Sequence, residues 1–415
     1  MKIVLVNHYA GSPETGMEFR PYYMARLWAE AGHKVIIVAA SYSHLRNKQP
    51  QIVADIEEQQ IEDVNYLFVK TNTYKGNGLG RIKNMLRFTV ALYGKAGGYI
   101  KKFNPDVIIA SSTYPYEILP LKRLASKCKA RLVFEVHDLW PMSPQLLGRY
   151  SKWHPFIFTM QCAENYAYRH SDTIISLLPC TLEHMLQHGL RRMGSVNWHY
   201  VPNGILPEEI VFNRDLPNEH SSLIATLKEQ GCLLVGYAGS IGVANNIDML
   251  IETRRLIESN NIHFIIMGKG PEKERIIAQL SEQDRKYVHF LDAVPKTLVA
   301  SFLHQMDVLT MVWNKSPLYK YGISANKLFD YMMAAKPIVQ ALEAGNDPVM
   351  ESGCGISVEP GDAGRLALAI TEMAALSQAE RQAFGEKGRQ FVVEHHNYRV
   401  LAEKCIEIFE KPVYN

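Results

Sequence analysis

The sequence predicts an α/β protein of two doubly wound, parallel-sheet domains. Three observations carry that expectation. Short β-branched runs ("KIVLVN", "KVIIVAA", "DVIIA", "RLVFEV", "TIISLL") recur along the first half between helical patterns such as Phe19 to Ala31, which ends at Gly32. A second series ("LLVGYAG", "HFIIMG", "VHFL", "VLTMVW", "PIVQAL", "GISVEP") does the same in the second half. Between them lies "HYVPNGILPEE", dense in turn formers. Strands alternating with helices imply a parallel sheet covered on both faces. The expected domains are 1–200 and 205–390, with 391–415 as a terminal helix. About Gln378 to Lys411 reads as helices without further strands.

Composition agrees with this layout. A chain of 415 residues, 47% of them apolar, is enough for two ordinary domains with full cores. Its net charge of +3 is only mildly basic, and nucleic acid is not an expected partner. The opening "MKIVLVNHYAGSP" reads as a first strand, not a signal-peptide core. No 18-residue uncharged apolar run predicts a membrane span. The six scattered cysteines, with no Cys-x-x-Cys pair, are expected to be reduced core residues of a cytoplasmic protein.

Two doubly wound domains are expected to leave a cleft. Ligands of such sheets bind beyond the carboxyl ends of the strands, so the strand-to-helix loops are the places to read for chemistry. After the first strand, Gly11 and Gly16 bracket "GSPETG", which also carries Glu14. Free N–H groups at the following helix start would favour an anion or a sugar hydroxyl. "VFEVHDLWP" ends another strand with His137 and Asp138, and a histidine there can hydrogen-bond a substrate. In the second half Gly239 and Ser240 follow one strand, and Gly268, Lys269 and Gly270 follow another. Glycine permits close approach of a phosphate, and Lys269 adds charge. Neither turn is a Walker loop or a G-x-G-x-x-G fingerprint.

The stretch "YKYGISANKLFDYMMAAKPIVQA" is the most informative. Ser324 reads as a helix N-cap, which places Lys327 in the first turn, unfavourably beside the positive end of the helix dipole. A bound phosphate would remove that conflict. Asp330, three residues on, shares a helix face with Lys327. Its carboxylate can accept hydrogen bonds from vicinal ribose hydroxyls. Phosphate and ribose together describe a nucleotide; the plainer alternative is a surface Lys–Asp pair. No metal site is expected. His184 and His188 are spaced i,i+4 without a metalloprotease pattern, His395 and His396 lie in a charged helix, and there is no Asp-x-Asp motif. No Gly-x-Ser-x-Gly elbow is present.

Taken in order, "GSPETG", "VHD", "VPNGI", "YAGSIG", "GKGP" and "KLFDYMMAAKPIV" resemble the retaining glycosyltransferases of the GT-B fold, family 4-like, of the bacterial type that builds capsule, O-antigen and other surface polysaccharides. The likeness covers nearly the whole chain. It implies two Rossmann-like domains facing a cleft, an acceptor side in the first, a nucleotide diphosphate sugar in the second, and a C-terminal helix that crosses back. The donor residues so implied are Gly16, Gly239, Ser240, Gly268, Lys269, Val294, Gly322, Ile323, Ser324, Asn326, Lys327 and Asp330. Gly11, Glu14 and Asp138 fall on the acceptor side, and His137, Lys327 and Asp330 are the expected catalytic set. The chain departs from the pattern where many relatives carry an Arg and a Lys that grip the diphosphate; those positions are Ser240 and Asn245. Of the two glutamates that relatives place eight apart, the first falls on Gly322 and the second on Asp330. Lys327, helped by Lys269, is the expected substitute cation.

The expected reaction moves a hexosyl or N-acetylhexosaminyl group from a UDP-linked sugar to an acceptor hydroxyl, with retention and without a cofactor or metal. The acceptor is expected to be a lipid-linked saccharide. A sugar-nucleotide epimerase of the same architecture and a non-catalytic sugar-nucleotide-binding protein are the alternatives. The segment Lys75 to Lys102 holds seven basic residues and no acidic one, interleaved with apolar residues. That pattern suits an anionic membrane surface, with Arg81, Lys83 and Arg87 as the docking residues and a peripheral location on the inner face of the cell membrane.

Overall fold

The computed structural model describes residues 1–76, 78–190 and 197–412. Contacts divide the chain into two units. Unit 1 is Met1–Asn203 together with the chain from Tyr398 onward, and unit 2 is Gly204–Asn397.

Unit 1 is built on a sheet of eight strands: β1 (Lys2–Val6), β2 (Lys34–Ala40), β3 (Ile56–Ile61), β4 (Val64–Val69), β5 (Val107–Ala110), β6 (Arg131–Val136), β7 (Thr173–Ser176) and β8 (Trp198–Tyr200). Their spatial order is β3-β4-β2-β1-β5-β6-β7-β8. The central strands pair in parallel, Val4 opposite Ile36 on one side and Ile108 on the other. Ile3, Val4, Leu5 and Val6 are all buried, as a strand covered on both faces requires. The hairpin β3–β4 is antiparallel and was not expected. β3 reads "IEEQQI", a half-exposed edge strand whose charges guard its free side and hide it from a search for apolar runs.

Unit 2 has six strands: β9 (Leu233–Ala238), β10 (Ile262–Met267), β11 (Val288–Leu291), β12 (Val308–Val312), β13 (Ile338–Ala341) and β14 (Gly355–Val358). They run in the order β11-β10-β9-β12-β13-β14, parallel throughout. All six coincide with the expected runs.

The chain's last two long helices belong to different units. Residue 391, the expected start of the terminal helix, lies inside the helix Gln378–His395 of unit 2. The helix Tyr398–Glu410 packs in unit 1. Its buried residues Tyr398, Leu401, Ala402, Cys405, Ile408 and Phe409 form one stripe at helical spacing. Tyr398 stacks on Tyr23 at 5.2 Å, and Trp28 Nε1 donates to Ala402 O at 3.1 Å. The cysteines are all free, but they are not all core residues: Cys162 and Cys180 are exposed. Among the described residues no helix is long and apolar enough to cross a membrane.

Candidate functional site

In unit 2 the candidate site forms around the helix Asn326–Met333. The helix begins after Ala325, which offers no side-chain cap, so Ser324 is not the N-cap expected of it. The preceding loop turns at Gly322, whose φ of 101° is a conformation that suits glycine. Asn346 then secures it: Ile323 N donates to Asn346 Oδ1 at 2.7 Å, and Asn346 Nδ2 donates to Ile323 O at 3.2 Å. The helix is pinned to the end of β9 by Tyr331. Ala238 N donates to the Tyr331 hydroxyl at 2.6 Å, and that hydroxyl donates to Ala238 O at 3.0 Å.

Lys327 lies in the first helical turn, as expected, but not against Asp330. Its ammonium donates to Asn245 Oδ1 and lies over the rings of Tyr237 (5.3 Å) and Trp313 (5.2 Å). Burial pushes its pKa down to about 8. Asp330 instead pairs with Lys296, whose ammonium donates to Oδ2. Lys296 opens the helix Lys296–Gln305. A cation in a first turn was the signal that singled out Lys327, and the same signal was legible for Lys296.

The expected glycine turns lie near this cation. A Cβ at Gly239 would sit 3.6 Å from Lys327 Cδ. Tyr237, under the ammonium, donates its hydroxyl to Ser240 O at 2.7 Å. Gly268 allows the two turns to touch, since a Cβ there would fall 1.9 Å from Gly239 O. Lys269 binds through its backbone, accepting from Ile241 N at 3.0 Å, and its side chain is exposed. Val294 packs against the unit's core. Ser324 and Asn326 are half-buried.

In unit 1, His137 follows β6 and is held by groups other than Asp138. Its Nε2 lies 3.0 Å from Glu135 Oε2 and 2.9 Å from Ser111 Oγ. Glu135 is buried and also accepts from Arg20, through Nε at 3.1 Å and Nη2 at 2.9 Å, and from Ser111 Oγ at 2.6 Å. Burial alone would raise its pKa. The Arg20 guanidinium, with His137 and Ser111, outweighs that and holds the carboxyl well below the usual range. Burial raises the Asp138 carboxyl, which accepts from Leu139 N at 2.9 Å. Sequence reasoning missed Glu135, Arg20 and Ser111, because a strand residue, a helix residue and a loop residue far apart in the chain reveal nothing singly.

The first loop is ordered from within. Gly11 N donates to Glu18 O at 2.9 Å, and Gly16 bridges to Ser12 and Arg46. Buried Arg46 donates to Ala10 O at 2.7 Å and Ala40 O at 2.8 Å. Glu14 is exposed and pairs with Lys48.

Arg81 departs from its expected place on a docking face. The segment Lys75 to Lys102 forms two helices, Leu79–Tyr93 and Lys95–Phe103, divided at Gly94. On the first, Lys83 and Arg87 are exposed, but Arg81 turns inward. Its Nε donates to the Tyr9 hydroxyl at 3.2 Å, and its guanidinium lies over Tyr9 and Trp140, 5.5 Å from each ring. It lines a cavity of about 290 Å³ with Asp138, Trp140, Leu147, Tyr150 and Phe156. The flat guanidinium stacks well on aromatic faces, which draws it away from solvent.

Among the described residues no group of three or more His, Cys, Asp or Glu could hold a metal ion. His184 pairs with Glu164, 3.1 Å from Nε2 to Oε1.

Comparison with known proteins converges on one class. Residues 15–204 match the glycosyl transferase 4-like domain, and residues 233–375 match the glycosyl transferases group 1 domain. No curated protein matches the sequence. Similar solved structures include a sucrose-phosphate synthase from Thermosynechococcus elongatus, with TM-score 0.72, 16% identity and 98% of each chain covered. Another is Anabaena Alr3699/HepE in complex with UDP-glucose, with TM-score 0.62, 14% identity and 98% of each chain covered. A third is WaaG, a glycosyltransferase involved in lipopolysaccharide biosynthesis, with TM-score 0.67, 15% identity, and 99% of this chain and 100% of that one covered. The chain is a glycosyltransferase of the GT-B fold. It carries a 4-like domain in its first half and a group 1 domain in its second.

Proposed function

We propose that the protein transfers a sugar from a UDP-linked donor to an acceptor hydroxyl with retention, and that unit 2 binds the donor. The observation that carries this reading is Lys327, a half-buried cation at a helix start, supported by two aromatic rings and a neutral amide. A diphosphate placed there meets the cation and the free N–H groups of the helix together. Lys327 thus takes the task that the Arg and Lys of many relatives perform, and no metal ion is needed. Asp330, steadied on Oδ2 by Lys296, receives the ribose hydroxyls. Gly239, Ser240, Gly268 and Lys269 complete the phosphate side; Gly322, Ile323, Ser324, Asn326 and Val294 are the remaining unit 2 contacts, and Gly16 is the one assigned from unit 1. The UDP-glucose complex of HepE supports this choice of nucleotide.

His137 contacts the transferred sugar. Glu135 is committed to Arg20, Ser111 and His137, which argues against a covalent glycosyl intermediate on that carboxylate. The acceptor therefore attacks on the face that the diphosphate leaves, through an oxocarbenium-like state. The departing phosphate takes the acceptor proton, while the protein positions the substrates and stabilises the developing charge. The acceptor is a lipid-linked saccharide of surface-polysaccharide synthesis, received on the side of Gly11, Glu14 and Asp138. The cavity of Arg81 and Asp138 offers a cation and apolar walls for it. Lys83 and Arg87, beside exposed Leu79, Leu86 and Val90, bring unit 1 to an anionic membrane.

The test is a titration with UDP and UDP-sugars, followed by the same titration of Asp330→Ala. The substitution should weaken UDP binding by about 1.5–3 kcal/mol, the worth of hydrogen bonds to a charged group. Undiminished UDP binding in a folded variant would refute the donor site. Binding without turnover on any lipid-linked acceptor would leave a sugar-nucleotide-binding protein.

A further inference from the structure

We infer that Glu135 is a positioning residue that fixes the tautomer of His137, so that the ring presents a bare Nδ1 to its ligand and accepts a hydrogen bond from it. The role rests on the glycosyl-transfer reading; the tautomer does not.

The donors and acceptors around Glu135 and His137 fix the position of each hydrogen. A carboxylate accepts only, through about four lone-pair positions. Glu135 Oε1 receives two N–H groups of Arg20, at 3.1 and 2.9 Å. Oε2 receives the hydroxyl hydrogen of Ser111 at 2.6 Å. That uses the single hydrogen Ser111 owns. Its oxygen is left with lone pairs, one of which accepts from Asn7 Nδ2 at 3.3 Å. His137 Nε2 faces both groups, 3.0 Å from Oε2 and 2.9 Å from Ser111 Oγ. Everything it faces is therefore an acceptor. A lone pair on Nε2 would oppose a buried carboxylate, and a hydrogen on Nε2 satisfies the remaining positions of both neighbours. In the neutral ring the other nitrogen then carries no hydrogen. A sugar hydroxyl, which can donate, suits Nδ1; a carboxylate or carbonyl oxygen does not.

Arg20 makes the arrangement directional. It also donates to Val201 O at 3.2 Å and to Pro202 O, so its guanidinium is fixed from two sides. In Glu135→Gln the amide oxygen must face Arg20, because an NH2 there would meet only donors. The NH2 then points at His137 Nε2 and can bond it only as an acceptor. The substitution should therefore drive the ring to the opposite tautomer, with the hydrogen on Nδ1.

Histidine-selective 15N NMR of the full chain tests this, with the His137 signals assigned by their loss in His137→Gln. The wild type should show protonated Nε2 and bare Nδ1 in its neutral form, and Glu135→Gln the reverse. Ser111→Ala keeps the Arg20–Glu135 pair and should retain the wild-type tautomer, which covers the case in which Glu135→Gln fails to fold. A hydrogen on Nδ1 in the wild type, a ring that Glu135→Gln leaves unchanged, or one that Ser111→Ala reverses overturns the inference. Turnover tests the role separately: Glu135→Gln should lower kcat at least about tenfold, the worth of one hydrogen bond, while UDP affinity stays within about twofold. Unchanged kcat beside a reversed tautomer would refute the positioning role and leave the donor reading standing.

Discussion

Glu135, near the end of β6 in unit 1, and Lys327, at a helix start beside the end of β9 in unit 2, both carry charge away from bulk water, yet their surroundings differ in kind. The carboxylate is met by two N–H groups of a buried arginine, a hydroxyl and an imidazole. The ammonium is met by one neutral amide oxygen and two ring faces. The titrations move accordingly: the partners of Glu135 outweigh burial and favour its charged form, whereas burial disfavours the charged form of Lys327 and brings it to about 8. A charge whose partners are complete has nothing left to offer a ligand and serves to hold its neighbours. A charge that burial has made costly is stabilised by whatever anion arrives, and such groups gather at functional sites.

The largest effect should come from breaking the complete network. Arg20→Met strands Glu135 as a buried, uncompensated anion, at a cost of about 3–5 kcal/mol in stability. Urea denaturation measures it. Replacing both partners, Arg20→Met with Glu135→Met, should recover much of the loss, since apolar pairs often substitute for buried ion pairs. The sign of the pH dependence follows from the depressed carboxyl. Its contribution is present above the unfolded pKa of about 4.3 and fades as pH falls toward the lower folded value. Both variants should lack that acid-sensitive component. If Arg20→Met behaves like a surface substitution, Glu135 is no better satisfied than Lys327 and the contrast fails.

The next effect inverts the pattern. Lys327→Met removes a charge the fold holds at a cost, so the free protein should be as stable as the wild type or more so, while UDP binding weakens by about 1.5–3 kcal/mol. The folded pKa lies below the ordinary value of about 10.4, so the cost is fully present below pH 8 and is relieved as pH rises from about 8 toward 10.4. Wild-type stability should therefore gain on that of Lys327→Met across that window. A bound diphosphate favours the protonated amine. UDP affinity should fall as pH rises through about 8, and calorimetry in buffers of different ionisation enthalpy should show proton uptake near that pH. Equal pH dependence in the wild type and in Lys327→Met would remove Lys327 from the donor site.

The two charges were unequally legible in the sequence. Lys327 declared itself by a local conflict, a cation in a first helical turn, and such conflicts survive in one dimension. So did the strands of unit 2: the four central ones, β10, β9, β12 and β13, are short, mostly apolar runs buried along their whole length, and the flanking β11 and β14 are half-buried. Glu135 lay in full view inside "VFEVHDLWP", but its meaning depends on Arg20 and Ser111, which only the sheet order β1-β5-β6 brings near. The hairpin strand β3 was hidden by the charges that protect an edge. Lys327 and Asp330 were expected to act side by side; sharing a helix face did not decide it, because Asn245 and Lys296 offered each a partner from another element. Arg81 was misplaced for the same reason, its spacing from Lys83 and Arg87 saying nothing of the rings of Tyr9 and Trp140.

That last misplacement yields the smallest expected effect and a third kind of charge, one left in water. Lys83 and Arg87 are exposed on the helix Leu79–Tyr93, on one face with Leu79 (84% exposed), Leu86 and Val90 (66% exposed). Spacings of three and four residues place them side by side. Each basic residue near an anionic bilayer contributes about 1 kcal/mol before salt screening. Lys83→Ser with Arg87→Ser should therefore weaken co-sedimentation with phosphatidylserine-containing vesicles by about 2 kcal/mol at low ionic strength. The difference should shrink as salt shortens the Debye length, and neutral vesicles should not distinguish the variant from the wild type. Arg81→Gln should lose markedly less, because its guanidinium is taken up by Tyr9 and Trp140. Neither change touches unit 2, so UDP binding should stay at the wild-type level in both. Should Arg81→Gln release the protein as fully as the double variant, the inward turn of Arg81 does not describe the membrane-bound form. Should neither matter, the basic segment is a solvated face, and its apolar residues at Met85, Phe88 and Leu92 serve only the core of unit 1.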